Sequence, residues 1–290
     1  MDERAALALV GDSVPAAGDD CAVLDGLVVT TDMLHETSDF PGGTTRYTAG
    51  WRAVGASLSD VAAMGAEATA ALAIYGAPSF EEDEIAAFLS GCLDVCSAAG
   101  AEYVGGDLDG HGEFTVSTTA FGRSEAPVYR SGATPGDAVC VTGTLGRSGA
   151  ALRLFEEGAT ERANGLFRFE PRVAAGRALA PHASAMMDSS DGLSRSLHQL
   201  AEASDCGASV SYADVPVAQT ASEVAESADD ERELAVHFGE DFELVCTVPE
   251  DALAAAIEAS PVEVTRIGTV TEREVRMDGA ALPDRGFTHG

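Results

Sequence analysis

Aspartates directly beside Gly, Ser or Thr recur in five short segments of this chain. These segments are Gly18-Asp19-Asp20, Thr30-Thr31-Asp32, Ser59-Asp60, Gly105-Gly106-Asp107 and Asp188-Ser189-Ser190-Asp191. One such pair alone is typical of a turn or a helix N-cap. Carboxylates that cluster, however, repel one another unless a cation lies among them, and magnesium takes carboxylate and hydroxyl oxygens together with waters and phosphates. If the fold brings the five segments together, they predict a site for several magnesium ions.

The chain contains no lysine, and all 17 of its basic residues are arginine. A nucleoside triphosphate therefore cannot be held by a P-loop lysine or by a protein-kinase lysine, and metal ions would have to neutralise its charge. Gly143, Gly146 and Gly149 form a G-x-x-G-x-x-G pattern, which is neither a dinucleotide fingerprint nor a Walker loop. This pattern is compatible with a plain strand-to-helix turn and with a phosphate cradle.

The net charge of −31 disfavours binding to nucleic acids and to anionic membranes, because both would repel the protein. The absence of lysine and the acid-rich stretches at 81–84 and 223–233 indicate the solvated surface of a salt-adapted protein. A generally acidic protein, or an acidic face that binds a partner, is the alternative. The chain shows neither an apolar run behind its first residues nor a segment of membrane-spanning length, so we expect a cytoplasmic protein.

The six cysteines have no C-x-x-C spacing, and Cys92 and Cys96 lie one helical turn apart, so we expect reduced thiols in the core. The sequence has no G-x-S-x-G nucleophile motif. Cys21 follows Asp20, whose negative charge would raise the pKa of the thiol. We therefore predict no protein nucleophile and no catalytic residue that forms a covalent intermediate.

The elements that must position these residues follow from hydrophobic periodicity. The first half predicts strands at 27–31, 68–75, 102–105 and 114–121, and helices at 46–65 and from about 82 to 100. Asp32 would lie at the end of the first strand, and Asp60 would lie off the apolar stripe of the first helix. This order of elements predicts an α/β domain with a mixed sheet and helices on one face.

Turn-forming residues at 129–137 predict a domain boundary. Beyond it, strands are expected at 138–142 and at 185–187, and a helix with Leu193, Leu197 and Leu200 follows the Asp188 to Asp191 loop. Residues 242–248 alternate as a strand that faces one core. The predicted fold class is thus α/β, of the α+β type, with domains at 1–135 and 136–290.

Taken in order and spacing, these motifs resemble the thiamine-monophosphate kinase family, which belongs to the superfamily of aminoimidazole-ribotide synthetase and selenophosphate synthetase. The resemblance extends from about residue 10 to the C-terminus. It rests on Gly18-Asp19-Asp20-Cys21-Ala22, Thr30-Thr31-Asp32, Leu58-Ser59-Asp60-Val61-Ala62-Ala63-Met64-Gly65, Gly105-Gly106-Asp107, Arg130-Ser131-Gly132-Ala133, Val141-Thr142-Gly143-Thr144, Asp188-Ser189-Ser190-Asp191-Gly192-Leu193 and Gly239-Glu240-Asp241-Phe242-Glu243-Leu244.

The resemblance implies a homodimeric enzyme that phosphorylates thiamine monophosphate to thiamine diphosphate with ATP and several magnesium ions. Residues 1–135 would bind ATP and magnesium and would dimerise, and residues 136–290 would complete the cleft. Without a lysine or an activated nucleophile, the transfer would be a direct in-line attack of the substrate phosphate on the γ-phosphorus.

The resemblance also assigns roles to individual residues. The implied magnesium ligands are Asp20, Thr30, Thr31, Asp32, Asp60, Asp107, Asp188 and Asp191. The implied nucleotide contacts are Gly106, Asp107, Arg130 and Ser190. The implied substrate pocket contains Asp39, Glu240 and Phe287, in which a carboxylate and an aromatic ring suit a cationic heterocycle. Bacterial members have a histidine at the position of Asp39, and the nearest histidine here is His35.

Two rival hypotheses remain. Another enzyme of the superfamily is disfavoured, because the lysine of selenophosphate synthetase and the terminal cysteine of the hydrogenase-maturation member have no counterpart in this sequence. A non-catalytic acidic module that binds nucleotides or cations is the second rival. ADP release that depends on thiamine monophosphate would separate these possibilities.

Overall fold

The computed structural model of the protein describes residues 9–11, 13–14 and 17–286. The first half forms a five-stranded sheet in the order β1-β2-β5-β3-β4. Its strands are β1 (Ala22–Leu24), β2 (Leu27–His35), β3 (Glu67–Ala77), β4 (Glu102–Gly110) and β5 (Thr115–Arg123). Neighbouring strands are antiparallel except β3 and β4, which are parallel, so the predicted mixed sheet is confirmed.

The helices that follow strand β2 in this half are α1 (Glu36–Asp39), α2 (Arg46–Ala63) and α3 (Glu82–Ala99). Helix α2 begins where the Thr45 side chain accepts a hydrogen bond from Thr48 N, and it packs against β2, β3 and β5. Two glycines let α2 and α3 approach closely. A Cβ at Gly91 would lie 2.1 Å from the Tyr47 carbonyl oxygen, and one at Gly50 would lie 2.3 Å from that of Phe88.

The second half forms a seven-stranded sheet in the order β12-β11-β8-β10-β6-β9-β7. Its strands are β6 (Ala138–Thr142), β7 (Ala185–Asp188), β8 (Gly207–Val210), β9 (Leu244–Val248), β10 (Val264–Thr271), β11 (Val275–Met277) and β12 (Ala280–Ala281). Its α-helices are α4 (Arg147–Glu156), α5 (Thr160–Phe167), α6 (Val173–Leu179), α7 (Leu193–Ala203), α8 (Gln219–Val224), α9 (Ala228–Arg232) and α10 (Leu253–Ala259). A 3₁₀ turn (Tyr212–Asp214) and a π turn (Glu233–His237) complete this half.

The two sheets share one hydrophobic core. In β9, Leu244, Cys246 and Val248 pack into the core that contains helix α2, as the alternation predicts. The intervening Val245 is also buried, in a second core on the other face of the sheet. The strand begins at Leu244, however, and Phe242, predicted as part of it, packs in a separate small cluster. Helix α2 also contacts α6 and β7, so it lies between the two halves. The chain passes from one sheet to the other between Arg123 and Ala138, and the domain boundary at residue 135 stays a prediction.

Within the part of the chain that the structure describes, no helix combines the length and the apolar composition needed to cross a membrane. Five of the six cysteines are buried, and Cys206 is half-buried.

Candidate active site

Three carboxylates from three separate elements meet at the junction of the two halves. Asp20 precedes β1, Asp60 lies on α2, and Asp188 ends β7. One oxygen of each carboxylate lies within 4.8 Å of the others, and we call these three residues the aspartate cluster. Three of the five segments singled out in the sequence thus contribute a carboxylate to the cluster, although 168 residues separate the first aspartate from the last, and the Thr30-Thr31-Asp32 segment lies beside it.

Asp20 and Asp188 are buried and Asp60 is half-buried, and the charges of the three carboxylates oppose one another. Burial raises the pKa of Asp60 well above its usual range, and the negative charges of Asp32, Asp188 and Asp20 raise it further. Burial, followed by the charge of Asp20, raises the pKa of Asp188 to about 8. Within the described residues, the buried Oδ2 of Asp188 has no hydrogen-bond partner. Oxygen ligands that cannot all ionise alone, together with an unsatisfied carboxylate oxygen, fit a hard divalent cation such as magnesium.

Hydroxyl groups orient the carboxylates around the cluster. Thr30 Oγ1 donates to Asp60 Oδ2 at 2.6 Å, and Ser57 Oγ donates to Asp32 Oδ2 at 2.6 Å. Thr31 is different, because β2 continues to His35 and alternate side chains point to opposite faces. Its hydroxyl donates to the Thr118 carbonyl oxygen at 2.7 Å. The structure thus brings Thr30 and Asp32 to the cluster but not the Thr31 hydroxyl.

Arg130 lies directly beside the cluster. Its Nη2 donates to Asp20 Oδ1 at 2.7 Å and its Nε donates to Asp20 Oδ2 at 3.2 Å. Burial alone would lower the pKa of Arg130, but the charge and hydrogen bond of Asp20 outweigh burial and raise it. The main-chain N–H of Arg130 also donates to Asp19, and burial together with Asp20 raises the pKa of Asp19 to about 6. A fixed guanidinium next to the carboxylates can attract phosphate groups.

The loop that carries Ser190 and Asp191 is paired with the 239–242 segment. Glu240 N donates to the Ser190 carbonyl oxygen at 2.6 Å, and Phe242 N donates to that of Ser189 at 3.1 Å. Glu240 thus lies next to the loop that leaves the aspartate cluster. Its carboxylate forms an ion pair with the guanidinium of Arg52, so its negative charge is already compensated within the protein.

The predicted glycine-rich turn holds an anion that belongs to the protein itself. Asp241 Oδ1 accepts from Ser148 N at 2.9 Å, and Asp241 Oδ2 accepts from Gly146 N at 2.5 Å. Burial raises the pKa of this carboxyl to about 7, and the two N–H donors act in the opposite direction. Because a side chain already occupies the start of α4, the structure favours the strand-to-helix turn over the phosphate cradle.

Other predicted site residues lie away from the cluster. Asp107 is exposed on the edge strand β4, which β5 and β3 separate from β2, a distance of roughly 14 Å across the sheet. The neighbouring Gly106 cannot carry a side chain, since a Cβ would lie 1.6 Å from the Ala73 carbonyl oxygen. Asp39 accepts from His35 N at 2.6 Å and from Ser38 Oγ at 2.8 Å, beyond the end of β2. Phe287 lies outside the described residues, and the roles of all four residues stay predictions.

Sequence reasoning missed Arg52, Ser57 and Asp241. Arg52 carried a detectable signal, because it is a cation amid the small and apolar residues inside a helix, whereas the helix's other arginine, Arg46, is its first residue. A charged residue in such a place is almost never fully buried without a partner. Ser57 and Asp241 carried no comparable signal, since each resembles an ordinary helix or turn residue.

Comparisons with known proteins give one consistent result. The model described as AIR synthase related protein, N-terminal domain, matches residues 18–124, and the corresponding C-terminal domain model matches residues 134–278. The thiamine-monophosphate kinase of Halobacterium salinarum is 62% identical over 100% of both chains. That of Methanospirillum hungatei is 39% identical over 100% of this chain and 99% of its own. The solved structure of AaThiL complexed with AMPPCP and TMP has a TM-score of 0.89 at 28% identity, covering 100% of this chain and 97% of that one.

Proposed function

The chain belongs to the thiamine-monophosphate kinase family, and we propose that it transfers the γ-phosphoryl group of ATP directly to thiamine monophosphate, yielding thiamine diphosphate. The observation that carries this proposal is the aspartate cluster at the junction of the two halves, in a chain that matches such a kinase over its full length. The relative AaThiL binds AMPPCP and TMP together, which supports a site for both substrates here.

Asp20, Asp60 and Asp188 would hold magnesium ions, with Thr30 and Asp32 beside them. Asp107 and Asp191 complete the proposed ligands, and Gly106, Arg130 and Ser190 the proposed nucleotide contacts. Bound magnesium supplies charge neutralisation to both sets of phosphates during in-line transfer. The use of several magnesium ions and the in-line direction of attack are both part of the proposed mechanism.

The protein groups position the substrates and do not attack them. Cys21 is the nucleophile-type side chain next to the cluster, and burial raises the pKa of its thiol, as do the charges of Asp60 and Asp20. This thiol therefore stays protonated and unreactive. The substrate phosphate oxygen, which is largely ionised near neutral pH, is the attacking group.

We assign the substrate's cationic ring to the region of Glu240 and Phe287. The Glu240 side chain is 24% exposed although its carboxylate pairs with Arg52, so one part of the carboxylate can still face a ligand. Asp39 or His35 would lie at the phosphate side.

The outer face of the first sheet supports a homodimer. Helices α2 and α3 cover one face of this sheet, whereas Met33 and Ile74, which both pair with Ser117 and so share the other face, remain 57% and 43% exposed. Exposed apolar side chains on the strands of one sheet are typical of protein interfaces. We therefore propose that two chains pair through this sheet.

The decisive experiment measures ADP release from ATP, with and without thiamine monophosphate, in molar KCl and magnesium. The proposal predicts release that requires thiamine monophosphate and produces thiamine diphosphate in equal amount. Nucleotide binding without turnover would instead support the non-catalytic module, and turnover with a different acceptor would support another enzyme of the superfamily.

A further inference from the structure

Arg52 is a fully buried cation on α2, with 1% of its surface exposed. Its Nη1 donates to the Phe167 carbonyl oxygen at 2.6 Å, and its guanidinium lies 3.6 Å from the centre of the Phe167 ring. Its Nη2 donates to the Glu240 carbonyl oxygen at 3.3 Å and to the Glu240 carboxylate. One side chain thus fixes both the main chain and the carboxylate of Glu240.

The segment that Arg52 contacts has an unusual backbone. Glu240 and Phe242 both have positive φ, at 62° and 54°, although neither is glycine. Residues other than glycine rarely adopt a positive φ, and they keep this conformation only where surrounding contacts impose it. Besides Arg52, Ser148 Oγ donates to the Glu240 carbonyl oxygen at 2.6 Å.

Stability alone does not account for this arrangement. Burial lowers the pKa of Arg52, because the charged form loses water, and Glu240 acts against that shift. Replacing a buried ion pair by apolar residues is often neutral or stabilising, so such a pair is weak support for a stabilising role. The guanidinium is instead suited to holding one geometry, because its planar fork presents several donors in fixed directions.

Arg52 also connects the two ends of the proposed site. It lies eight residues before Asp60 on the same helix, which places it about 12 Å away along the helix axis. We propose that Arg52 is a positioning residue that holds the Glu240 carboxylate, and the strained backbone around it, in the orientation that binds the cationic end of thiamine monophosphate. This inference rests on the proposed function.

Steady-state kinetics of Arg52→Lys, Glu240→Gln and the double variant test the inference. Arg52→Lys keeps the charge but loses the planar fork. We expect its KM for thiamine monophosphate to rise by roughly tenfold or more, as for the loss of a hydrogen bond to a charged group, while its KM for ATP stays within about twofold. The double variant should be no worse than the poorer single variant, because both changes remove one interaction.

Arg172→Lys is the matched control, since Arg172 is a half-buried arginine that also pairs with a glutamate, through two hydrogen bonds of 2.7 and 2.6 Å to the buried Glu243. It should lower the Tm without changing the KM for thiamine monophosphate. Ser148→Ala provides a second test, because it leaves the ion pair between Arg52 and Glu240 in place. It should raise the KM for thiamine monophosphate by a smaller factor.

The outcomes separate the two hypotheses. If the wild-type protein releases no ADP that depends on thiamine monophosphate, the proposed function fails. If the wild type is active but folded Arg52→Lys keeps its KM for thiamine monophosphate, or loses affinity for both substrates equally, the role of Arg52 is refuted. Should Arg52→Lys not fold, an unchanged KM in Ser148→Ala refutes it, and a raised KM supports it.

Discussion

Replacing Asp60 by asparagine should make the metal-free protein more stable and the enzyme inactive. The change keeps the shape of the side chain and an acceptor for Thr30 Oγ1, but it removes one negative charge from the aspartate cluster. Two unit charges 4.8 Å apart repel by about 3.5 kcal/mol at an effective dielectric constant of about 20. Proton binding already relieves part of this repulsion, so we expect a gain of about 1–2 kcal/mol in unfolding free energy, or a few degrees in Tm.

The gain should depend on pH in a defined direction. The pKa of Asp60 is raised in the folded protein, so its contribution to stability is lost as the pH rises from the ordinary value of about 4 through the raised value. Asparagine does not titrate. The Tm difference between the variant and the wild type, measured with a chelator present, should therefore widen as the pH increases.

Magnesium should reverse the order of stability. Wild-type protein should gain stability from magnesium, the variant should gain less, and its kcat should fall by more than about a hundredfold, because a ligand is lost. Asp251→Asn is the control, since it removes one exposed charge and should change neither the stability gained from magnesium nor kcat. The reasoning is refuted if Asp60→Asn is less stable than wild type in chelator, or if it retains the magnesium effect with near-normal turnover.

Four further predictions follow from the same structure. Lowering KCl from molar to millimolar should reduce the Tm seen by circular dichroism, because a net charge of −31 repels itself unless it is screened, and an unchanged Tm would contradict the salt-adapted surface. Alkylation of the folded enzyme should not stop turnover, because burial raises the pKa of the Cys96 thiol to about 12 and also raises the pKa values of the Cys21 and Cys92 thiols. Inactivation without unfolding would show that a thiol takes part in turnover. Thiamine monophosphate should be a far better substrate than thiamine, and Glu240→Gln should raise the KM for thiamine monophosphate more than that for ATP, with some loss of Tm because Arg52 loses its charged partner; a defect confined to ATP would reject this pocket. Ile74→Glu on the exposed sheet face should convert a dimer into a monomer in light scattering, and an unchanged mass would place any interface elsewhere.

Local patterns predicted most of the elements in the first half, whereas in the second half strands β8 and β10 to β12 were not predicted. Strand β6 has the predicted bounds, and helix α2 begins at the predicted residue, because apolar residues recur with the period of each element. The sequence predicted a metal site only on the condition that the aspartate segments meet, and the structure brings Asp20, Asp60 and Asp188 together. That prediction used only the repulsion among clustered carboxylates, which favours a bound cation whatever their other contacts are.

What the sequence could not supply were orientations and long-range partners. The resemblance implied both Thr30 and Thr31 as ligands, but neighbouring residues of β2 point to opposite faces, and the Thr31 hydroxyl donates to the Thr118 carbonyl oxygen. The pairing of Arg52 with Glu240 joins residues 188 positions apart, and no local pattern specifies such a pair. The position of Asp107 depends on strand order, which places β4 at the far edge of the sheet.

Helix α2 carries Arg52 in its first half and Asp60 in its last turn, and both sheets hold the helix in place. A helix cannot lengthen without breaking its main-chain hydrogen bonds, so the separation of these two residues is fixed. In the proposed complex, this helix acts as a ruler for the acceptor molecule. Analogues whose ring and phosphate are joined by a longer or shorter linker would reach one end of the site but not both. The fixed length of helix α2 would thus discriminate between substrates by the distance from ring to phosphate.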